Sequence, residues 1–574
     1  MKLYKKIILS VVIGSLLTGL SFYVFLPALN IHSYEFWVFL IFVVLFYSLP
    51  FLLAKKPLNK DVFTQGKGDG AGKRSGGIFR DIFGFNDHAH AKKSHGAVLL
   101  NIKALCITLI AAAVPLAVII AGSVVSSKLF NAVRYASVID VTQGVFEEDM
   151  KETDEVTNIA LMDGESARII GNRTLGSLSD VVSQYEISGY YTQINYKNTP
   201  KKVANLEYAG FFKWLSNRKN GVPGYVMVDP VNNSAEYIKL NKSLRYVGSA
   251  YFNDNLIRKL RFMYPTKIFD NICYEVDEDG NPYYIVSCLD AEVMLFGAMD
   301  VNEVIIFDPC TGDAELFDVE DVPAWVDIVY SGDLAVTKYN WKGMLSGGFW
   351  NSIIGQKDCR ITTDDYGYIV IGDDVWYYTG VTSITSDESN IGFILTNART
   401  GEYKYYPVVG AEEYSAMKSA EGEVQEKSYV ASFPSLINVS GKATYIMVLK
   451  DSGGLVRLYA LVNVENYGIV ATGSTQAEAM SEYKRLLAAN GIISGETDDT
   501  GYTEHRITVL SVRDIVIDGN SFVYIEGDDG VFYKGSIASQ EELVFVKEGD
   551  VLSVLCPSDH DERMIRDISE FEFI

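Results

Sequence analysis

The sequence contains few of the residues on which metal sites and nucleophilic sites depend. Among its 574 residues there are six histidines and six cysteines. Beyond the last long apolar run the histidines are His505 and His560, and neither stands at a metal-ligand spacing from another ligand. Patterns of the G-x-S-x-G or H-E-x-x-H kind do not occur in that part of the sequence either. We therefore predict no catalytic residue, no cofactor and no metal site.

Positive charge is scarce as well, but only in one part of the chain. The totals are 50 Lys and Arg against 73 Asp and Glu. Residues 1–129 hold 14 of the basic and 5 of the acidic residues, so 36 basic and 68 acidic residues follow. So acidic a remainder argues against nucleic acid as a partner, because nothing there neutralises phosphates. It also argues against lying flat on an anionic membrane surface, and it suits a soluble, self-repelling surface.

Three apolar runs in the first part have the length of membrane spans. They cover residues 7–29, 36–53 and 104–125, and each reaches or approaches the roughly 20 residues that cross a bilayer as a helix. The first run follows Lys2, Lys5 and Lys6 and therefore resembles a signal peptide. It lacks a small-x-small cleavage site, and a second span follows almost at once. We predict three retained transmembrane helices in an α-helical membrane segment, residues 1–129.

The loops between these spans predict the orientation. The stretch 55–97 holds nine basic residues and four aspartates, which is typical of a cytoplasmic loop. The N-terminus is then cytoplasmic, and residues after about 128 are extracytoplasmic, in a multi-pass protein of the plasma membrane. His88, His90 and His95 also lie in this loop. They are either a metal site or incidental histidines of a solvated loop, where Lys92 and Lys93 would repel a cation.

The region after residue 129 reads as multidomain, α+β and rich in strands. Short alternating runs such as 283–288, 303–307 and 443–450 are separated by Gly, Asn and Asp turn signals. Helical patterns interrupt them at 205–215, 254–262, 412–418 and 475–487. In the last of these, Thr475 and Glu478 have the spacing of a capping box.

A faint repeat runs through this region. Residues 226–238 align with 305–317 so that Asp229 falls on Asp308. In each copy a strand enters, an Asp or Asn starts a tight turn, and a second strand leaves. Two further copies, at 393–405 and 459–470, place an asparagine at the same position. The repeat turn residues are Asp229, Asp308, Thr311, Gly312, Asn397, Thr400, Gly401 and Asn463.

A helix, several strands and a last hairpin of the form apolar-x-apolar-Asp-x-x-Thr-Gly resemble the PepSY type of module. The unit 254–318 matches this pattern with Asp308, Thr311 and Gly312. The resemblance implies small extracytoplasmic α+β units that act as regulators or inhibitors beside peptidases or within membrane proteins. The stretches 205–238 and 410–473 depart from it at Asn233 and Asn463, and generic hairpins with convergent turn residues are the alternative.

The C-terminal stretch 503–574 has about five short strands and resembles a small OB-like β-barrel. Because it is acidic and predicted to lie outside the cytoplasm, we expect it to serve packing or protein contact. The predicted domains are therefore a membrane domain, a first α+β module, a PepSY-like module, further β-rich or α+β modules and the OB-like barrel, at residues 1–129, 130–250, 251–330, 331–500 and 503–574.

Two cysteines suggest a disulfide. A two-residue turn at Gly280 and Asn281 pairs positions whose numbers sum to 561, which places Cys273 opposite Cys288. The alternative is two small side chains that share one face of a hairpin. Cys310, Cys359 and Cys556 also lie in the predicted outer region, so at least one thiol there stays unpaired.

Three functions fit these observations. The first is a membrane-anchored cell-envelope protein, a scaffold or regulator, whose acidic extracytoplasmic domain binds a protein partner or forms a homo-oligomer. The second is an envelope hydrolase that acts through two carboxylates in a cleft. The third is a sensor or an accessory subunit of a transporter. The predicted spans contain no Asp, Glu or Arg at their centres, so an ion path through the chain alone is not expected.

Overall fold

The computed structural model describes residues 3–54, 99–100, 102–153, 161–384, 389–493, 502–517, 520–537, 540–557, 565–568 and 570–574. The predicted cytoplasmic loop 55–97, with its three histidines, lies outside these residues, and so does His560. The chain forms two compact units. The first comprises Met1–Ser127, Ile257–Ile268 and Asp290–Met299. The second comprises Lys128–Leu256, Phe269–Leu289 and Asp300–Ile574.

The first unit contains three long apolar helices, α1 (Leu3–Phe25), α2 (Tyr34–Leu52) and α3 (Ile102–Val125). All three are long and apolar enough to cross a membrane, which confirms this part of the prediction. Helix α1 begins and ends about four residues earlier than predicted. It stops because Leu26 takes a φ of 51°, and the following Pro27 disfavours helical backbone at the residue before it. A short pair of strands, Leu53–Ala54 and Leu99–Leu100, joins the other ends of α2 and α3.

The end of α1 is held by residues from much later in the chain. Arg261 lies on the helix Leu256–Met263, and its Nε donates to the carbonyl oxygen of Leu26 at 3.0 Å. The backbone N–H of Leu29 donates to the carbonyl oxygen of Pro265 at 2.7 Å. A helix end has carbonyl groups without partners inside the helix, and a guanidinium supplies strong donors for them.

The ends of α2 and α3 are held in the same way by residues 290–299. The Ser126 hydroxyl, just beyond α3, accepts the N–H groups of Leu295 and Phe296 at 3.1 and 3.0 Å. The Phe296 ring stacks on Tyr34, the first residue of α2, with 4.2 Å between ring centroids. Gly122 of α3 leaves the space that this ring fills. The C-terminal ends of α1 and α3 therefore lie beside the N-terminal end of α2.

The second unit is a β-rich region of several sheets. It opens with the helix α4 (Lys128–Ala136), which follows α3 almost directly. The other helices of this unit are Phe146–Asp149, Gly164–Gly176, Ser179–Val182, Phe211–Asn217, Gly332–Leu345, Glu413–Glu423 and Gln476–Ala489. The last of these begins with the predicted capping box between Thr475 and Glu478.

The first two sheets are antiparallel meanders. In spatial order, the strands of the first sheet are Tyr185–Ile187, Thr199–Tyr208, Val222–Asp229 and Ser234–Leu244, and Thr192–Tyr196 also pairs with the second of them. Those of the second sheet are Ile268–Val276, Pro282–Val293, Gly297–Phe307 and Ala314–Asp318. Residues 205–208, which were predicted to be helical, are therefore in a strand, and the helix begins at Phe211. Pairing with the neighbouring strand, which is not local in sequence, decides the conformation there.

The third and fourth sheets repeat this arrangement. The third contains Arg360–Thr362, Asp374–Ser383, Gly392–Asn397 and Tyr403–Tyr406, with Gly367–Ile371 and the parallel strand Val141–Gln143 added to it. The fourth contains Val430–Ala431, Lys442–Lys450, Val456–Asn463 and Val470–Gly473, with Ser435–Val439 added. The strand Ser389–Asn390, which lies between two strands of the third sheet in sequence, pairs with Gly410–Ala411, which precedes the fourth sheet.

Helices cover the faces of these two sheets in alternating layers. Ala416 and Ala420 of the helix Glu413–Glu423 belong to the same apolar cluster as Phe393 of the third sheet and Tyr445 of the fourth. The helix Gly332–Leu345 packs on the far side of the third sheet, and Gln476–Ala489 on the far side of the fourth. Both faces of each sheet are thereby removed from water, which explains why these strands are nearly continuous apolar runs.

The four sheets are also linked in a cycle, in part through residues that flank them. The contacts that link neighbours are Tyr225 with Tyr274, Val329 with Ala398, Phe393 with Tyr445, and Lys450 with the N-cap Asp163 of the helix that packs on the first sheet. A fifth sheet at the C-terminus contains, in spatial order, Ile565–Asp567, Phe532–Ser536, Asn520–Gly527, Tyr502–Ile517, Val551–Pro557 and Glu570–Phe573. It encloses its own apolar cluster.

Arg261 allows a test of the link between the helix Leu256–Met263 and α1. This side chain is buried, and its guanidinium donates to the carbonyl oxygens of both Leu26 and Lys267. We expect Arg261→Ala to lower the free energy of unfolding by about 2–3 kcal/mol, since buried carbonyl groups lose charged donors. The measurement is thermal denaturation of the full-length protein in detergent. Lys418→Ala, which removes an exposed cation, is the matched control, and equal midpoints for both variants would contradict the assignment.

Candidate functional site

Two buried carboxylates lie where the first, second and third sheets meet. Glu275, on the strand Ile268–Val276, is fully buried. Its two oxygens accept the N–H groups of Asp327 and Ile328 at 2.8 and 2.9 Å. The Asp327 carboxylate in turn accepts the N–H of Asn195 in the first sheet at 2.8 Å. The Asn195 amide then donates to the carbonyl oxygen of Asp373, next to the third sheet, at 3.1 Å. One chain of hydrogen bonds thus crosses three sheets.

Burial changes the protonation of this pair. It raises the pKa of Glu275 to about 8, although the two backbone N–H groups favour the charged form. Burial and the neighbouring Glu275 both raise the pKa of Asp327 well above its ordinary value. Two carboxylates this close and this buried cannot both be charged at low cost. The pair therefore retains a proton at neutral pH.

A buried lysine joins the first and third sheets nearby. Lys202 is 7% exposed, and its ammonium group lies 5.5 Å from the centre of the Tyr368 ring. Burial lowers the pKa of Lys202 to about 8. An ammonium over an aromatic face is favourable where water is excluded, so this contact also stabilises the junction.

Another buried carboxylate supports the interface of the third and fourth sheets. Glu413 begins the helix Glu413–Glu423, and its oxygens accept the Gly380 N–H at 2.6 Å and the Thr363 hydroxyl at 2.9 Å. Burial raises the pKa of Glu413 to about 7. Such a pKa would suit a general base, but both oxygens are already engaged with the protein and the side chain is fully buried.

These buried groups were not identified in the sequence. Glu275 and Asp327 are 52 positions apart in a chain with 73 acidic residues, so their proximity depends on the fold. One local signal was present, because Glu275 interrupts the otherwise apolar end of a strand, residues 273–276. An acid at an inward strand position indicates a buried hydrogen-bonded group.

The second unit also contains an open cleft, whose lining residues are different from the buried acids. It has a volume of about 280 Å³ and is lined by Val141, Thr142, Gln143, Tyr339, Lys342, Gly343, Ser346, Asp358, Arg360 and Tyr405. Lys342 donates to the carbonyl oxygen of Ile139 at 3.2 Å, and Arg360 lies over the Tyr405 ring at 5.3 Å. Asp358 is the single carboxylate in this lining. The cleft therefore does not present the two acids that carboxylate-based hydrolysis uses.

The residues that could ligate a metal do not form a cluster in the described part of the chain. Among those residues, no three His, Cys, Asp or Glu side chains come close enough together to hold an ion. His505 is instead in contact with Arg566, whose Nη1 lies 2.6 Å from its Nε2. Burial and this cation lower the pKa of His505.

The predicted disulfide between Cys273 and Cys288 is wrong, since both are free thiols in the structure. The reason is that the turn differs from the predicted one in both position and length. The N–H of Asp277 donates to the carbonyl oxygen of Asn281, so three residues rather than two form the loop, and Gly280 takes a φ of 81°. Paired positions then sum to 558, which places Cys273 opposite Ile285. Because side chains alternate along a strand, Cys288 points to the opposite face.

The two repeat aspartates both cap hairpin turns. Asp229 accepts the N–H groups of the second and third residues that follow it, at 2.9 and 3.0 Å. Asp308 does the same at 2.7 and 3.2 Å and also accepts the Thr311 hydroxyl at 2.9 Å. Gly312 closes this turn with a φ of 83° and lies against the Tyr246 ring. Burial raises the pKa of Asp229, but hydrogen bonds, first that of Lys201, bring it down to about 2.

The repeat asparagines occupy equivalent turns. Asn397 accepts the N–H groups of Arg399 and Thr400, both at 2.9 Å, and its carbonyl oxygen accepts the Gly401 N–H at 3.0 Å. Asn463 accepts the N–H of Asn466 at 2.7 Å. In all four sheets this residue is the last residue of the strand that enters the final hairpin, or directly follows it. The structure therefore brings the predicted turn residues to equivalent places in four separate sheets and not into one site.

The C-terminal region, in the fifth sheet and the turn Glu541–Phe545, exposes large apolar side chains. We name the set formed by Leu510, Ile515, Val516, Val544, Phe545, Ile565, Phe573 and Ile574 the C-terminal apolar surface. All eight are exposed, although the sheet has a separate buried cluster of its own. Residues 502–574 carry 16 acidic and 6 basic residues. Apolar surface within an acidic frame is typical of a protein-binding surface.

Comparison with known proteins gives no family. No family model matches the chain, and no curated protein matches it. Among solved structures, the chain is similar to a crystal structure of an ACO/RPE65 chimera, with 7% identity and a TM-score of 0.12. That match covers 65% of this chain and 59% of the other, which is less than two thirds of the other chain's length. A TM-score this low carries no argument about fold.

The buried acid pair predicts a pH dependence of stability. Between about pH 4.5 and pH 8 the native Glu275 holds a proton that the unfolded chain releases, so its contribution to stability is lost as the pH rises through that window. We expect Glu275→Gln to flatten the fall of the unfolding midpoint between pH 5 and pH 8. The measurement is thermal denaturation at four pH values, with the exposed Glu426→Gln as control. Parallel curves for both variants and the parent would contradict this assignment.

Proposed function

We propose that this chain is a membrane-anchored cell-envelope protein whose acidic region after residue 128 lies outside the cytoplasm and binds a protein partner or a second copy of itself. The observation that carries the proposal is the C-terminal apolar surface. Exposed apolar side chains of this number cost free energy in water, and a protein surface that covers them recovers it. A scaffold or a regulator needs such a surface, because either one acts by binding another protein.

The proposed sidedness is supported by charge and by the arrangement of the membrane helices. The stretch 55–97 carries nine basic residues, and basic loops stay in the cytoplasm. This stretch joins α2 to α3. The ends of α1, α2 and α3 that contact residues 257–268 and 290–299 are the opposite ends.

The buried acids support binding rather than hydrolysis. Both oxygens of Glu275 and both oxygens of Glu413 accept hydrogen bonds from the protein itself. A carboxylate in catalysis needs to reach a substrate or a water molecule. We also propose that the four capped hairpins belong to PepSY-like modules and that residues 503–574 form an OB-like barrel, since each would present its loops and edges to a partner.

Sidedness can be tested with single cysteines and a membrane-impermeant maleimide. Tyr190→Cys places a thiol at an exposed position of the second unit, where the native side chain is 89% exposed. Ser75→Cys places one in the predicted cytoplasmic loop. We expect labelling above the parent background for the first variant in intact cells, and for the second only after permeabilisation. The reverse pattern would contradict the proposed orientation.

Partner binding can be tested with one charged substitution on the C-terminal apolar surface. Val516 is 68% exposed, and Val409, in another part of the second unit, is 65% exposed. Val516→Asp and Val409→Asp therefore make the same chemical change at the same exposure. We expect the complex that the parent forms in mild detergent, whether a homo-oligomer or a heteromer, to persist with Val409→Asp and to weaken at least tenfold with Val516→Asp.

Size-exclusion chromatography with light scattering measures self-association, and quantitative recovery of co-purified subunits from native membranes measures a partner. A parent protein that is monomeric and without partners under both conditions would remove the proposal. Equal loss of the complex with both variants would show that added charge, and not this surface, is responsible.

A further inference from the structure

Three segments of the second unit contain basic residues and no acidic ones, although the unit as a whole is acidic. Residues 128–138, 211–220 and 341–357 together contain seven basic residues and no acidic one. About 15% of the residues after position 129 are acidic, so these 38 residues would ordinarily include about six acids. Each of the three segments also exposes large apolar side chains, and we name them together the basic apolar collar.

The first segment continues directly from a membrane helix. Only Ser126 and Ser127 separate α3 from α4. Helix α4 is kinked at Asn131, where the backbone is not helical. Its Ala132 and Tyr135 are buried, and Leu129, Phe130 and Val133 are exposed, the last of them by 70%. A helix with one buried face, exposed apolar residues and basic residues, placed next to a span, has the properties of an interfacial helix.

The segment 341–357 forms an apolar projection that is connected to α4 through the helix Gly332–Leu345. Trp341 of the helix Gly332–Leu345 packs against Tyr135 of α4, with 5.0 Å between ring centroids. Beyond that helix, Trp350, Ile353 and Ile354 point into solvent, and Ile354 is 77% exposed. The Asn351 amide fixes the turn because it exchanges two hydrogen bonds with the backbone of Lys357, at 2.9 and 3.2 Å.

The segment 211–220 forms an aromatic cluster with Tyr251 and Phe252. Phe211 packs on Tyr251 at 5.0 Å and Trp214 on Phe252 at 5.7 Å. Phe212, beside them, is 77% exposed. Phe252 precedes by five positions Ile257, the first residue of the segment 257–268 that belongs to the membrane unit.

Basic groups surround this cluster. Lys213, Arg218 and Lys219 lie on or just after the helix Phe211–Asn217. The carboxylate of the buried Asp254 lies 3.9 Å from the guanidinium group of Arg218 and 3.7 Å from that of Arg245. One carboxylate between two guanidinium groups leaves the local charge positive.

We infer that the basic apolar collar inserts into the headgroup region of the bilayer that α1, α2 and α3 cross, and that it binds anionic lipid there. Phe212, Trp350, Ile354 and Val133 enter the boundary between headgroups and acyl chains, while the lysines and arginines contact lipid phosphates. Aromatic residues and long basic side chains both favour this layer. The inference rests on membrane insertion of the three helices and not on the proposed partner.

Charge distinguishes a lipid surface from a protein surface here. Each basic residue close to an anionic bilayer is attracted to it, and each acidic one is repelled. The C-terminal apolar surface lies within 16 acids and 6 bases, and an anionic bilayer would repel it. The collar has seven bases and no acids. The overall acidity of the second unit argues against flat binding over its whole surface, but it does not apply to this part of it.

The test uses the full-length protein in lipid nanodiscs that contain phosphatidylglycerol and phosphatidylcholine with brominated acyl chains, which quench nearby tryptophan. Phe212→Trp and Ile354→Trp add a reporter on two segments of the collar. Tyr190→Trp adds one at an exposed position outside it. We expect bromolipid to quench at least half of the added emission at positions 212 and 354 and to leave that at position 190 almost unchanged. Replacement of Lys213, Arg218 and Lys219 by Gln should reduce the quenching at position 212.

Two outcomes would overturn the inference. One is added emission at positions 212 and 354 that bromolipid does not quench. The other is quenching of the same size at position 190, because bromolipid would then report general contact with the nanodisc and not insertion of the collar. Neither outcome bears on the Val516→Asp experiment, so failure of this inference and failure of the proposed function are distinguishable.

Discussion

The hydrogen bonds of Glu275 and Asp327 constrain the junction of the first three sheets, because they join them at a buried point. Glu275 holds the backbone of residues 327 and 328, and Asp327 holds the backbone of the first sheet at Asn195. A buried backbone N–H without a partner is costly, so the sheets cannot separate here without exposing several such groups. The same engagement makes Glu275 a poor candidate for catalysis, since both of its oxygens already accept backbone N–H groups.

The features that the sequence predicted correctly are determined locally or by length. An apolar run of about 20 residues has few structural alternatives to a membrane helix, and α1, α2 and α3 follow the three runs. The turns at Asp308 and Asn397 also depend on neighbours within four positions, because the side chain caps its own turn. The capping box of Thr475 and Glu478 is local in the same sense.

The features that the sequence did not predict depend on register and long-range pairing. The loop after Asp277 lies at residues 278–280 and not at 280–281, which lowers the sum of paired positions from 561 to 558 and places Cys273 and Cys288 on opposite faces. Residues 205–208 have a pattern compatible with a helix, but Asn205 pairs with Tyr225 in a sheet. The proximity of Glu275, Asp327 and Asn195 has no local basis, since each comes from a different part of the chain.

Charge is distributed unevenly within the acidic second unit as well as between the two units. Between the membrane unit and the rest, the balance changes from basic to acidic. Within the acidic unit, seven basic residues gather on three segments that expose Val133, Phe212 and Ile354, while other exposed apolar residues stay among acids at the C-terminus. In the proposed insertion, an anionic bilayer repels the acidic part and attracts the collar. The two proposals are therefore compatible, because the charge that draws the collar to an anionic bilayer is opposite to the charge around the C-terminal apolar surface, which is proposed to bind protein.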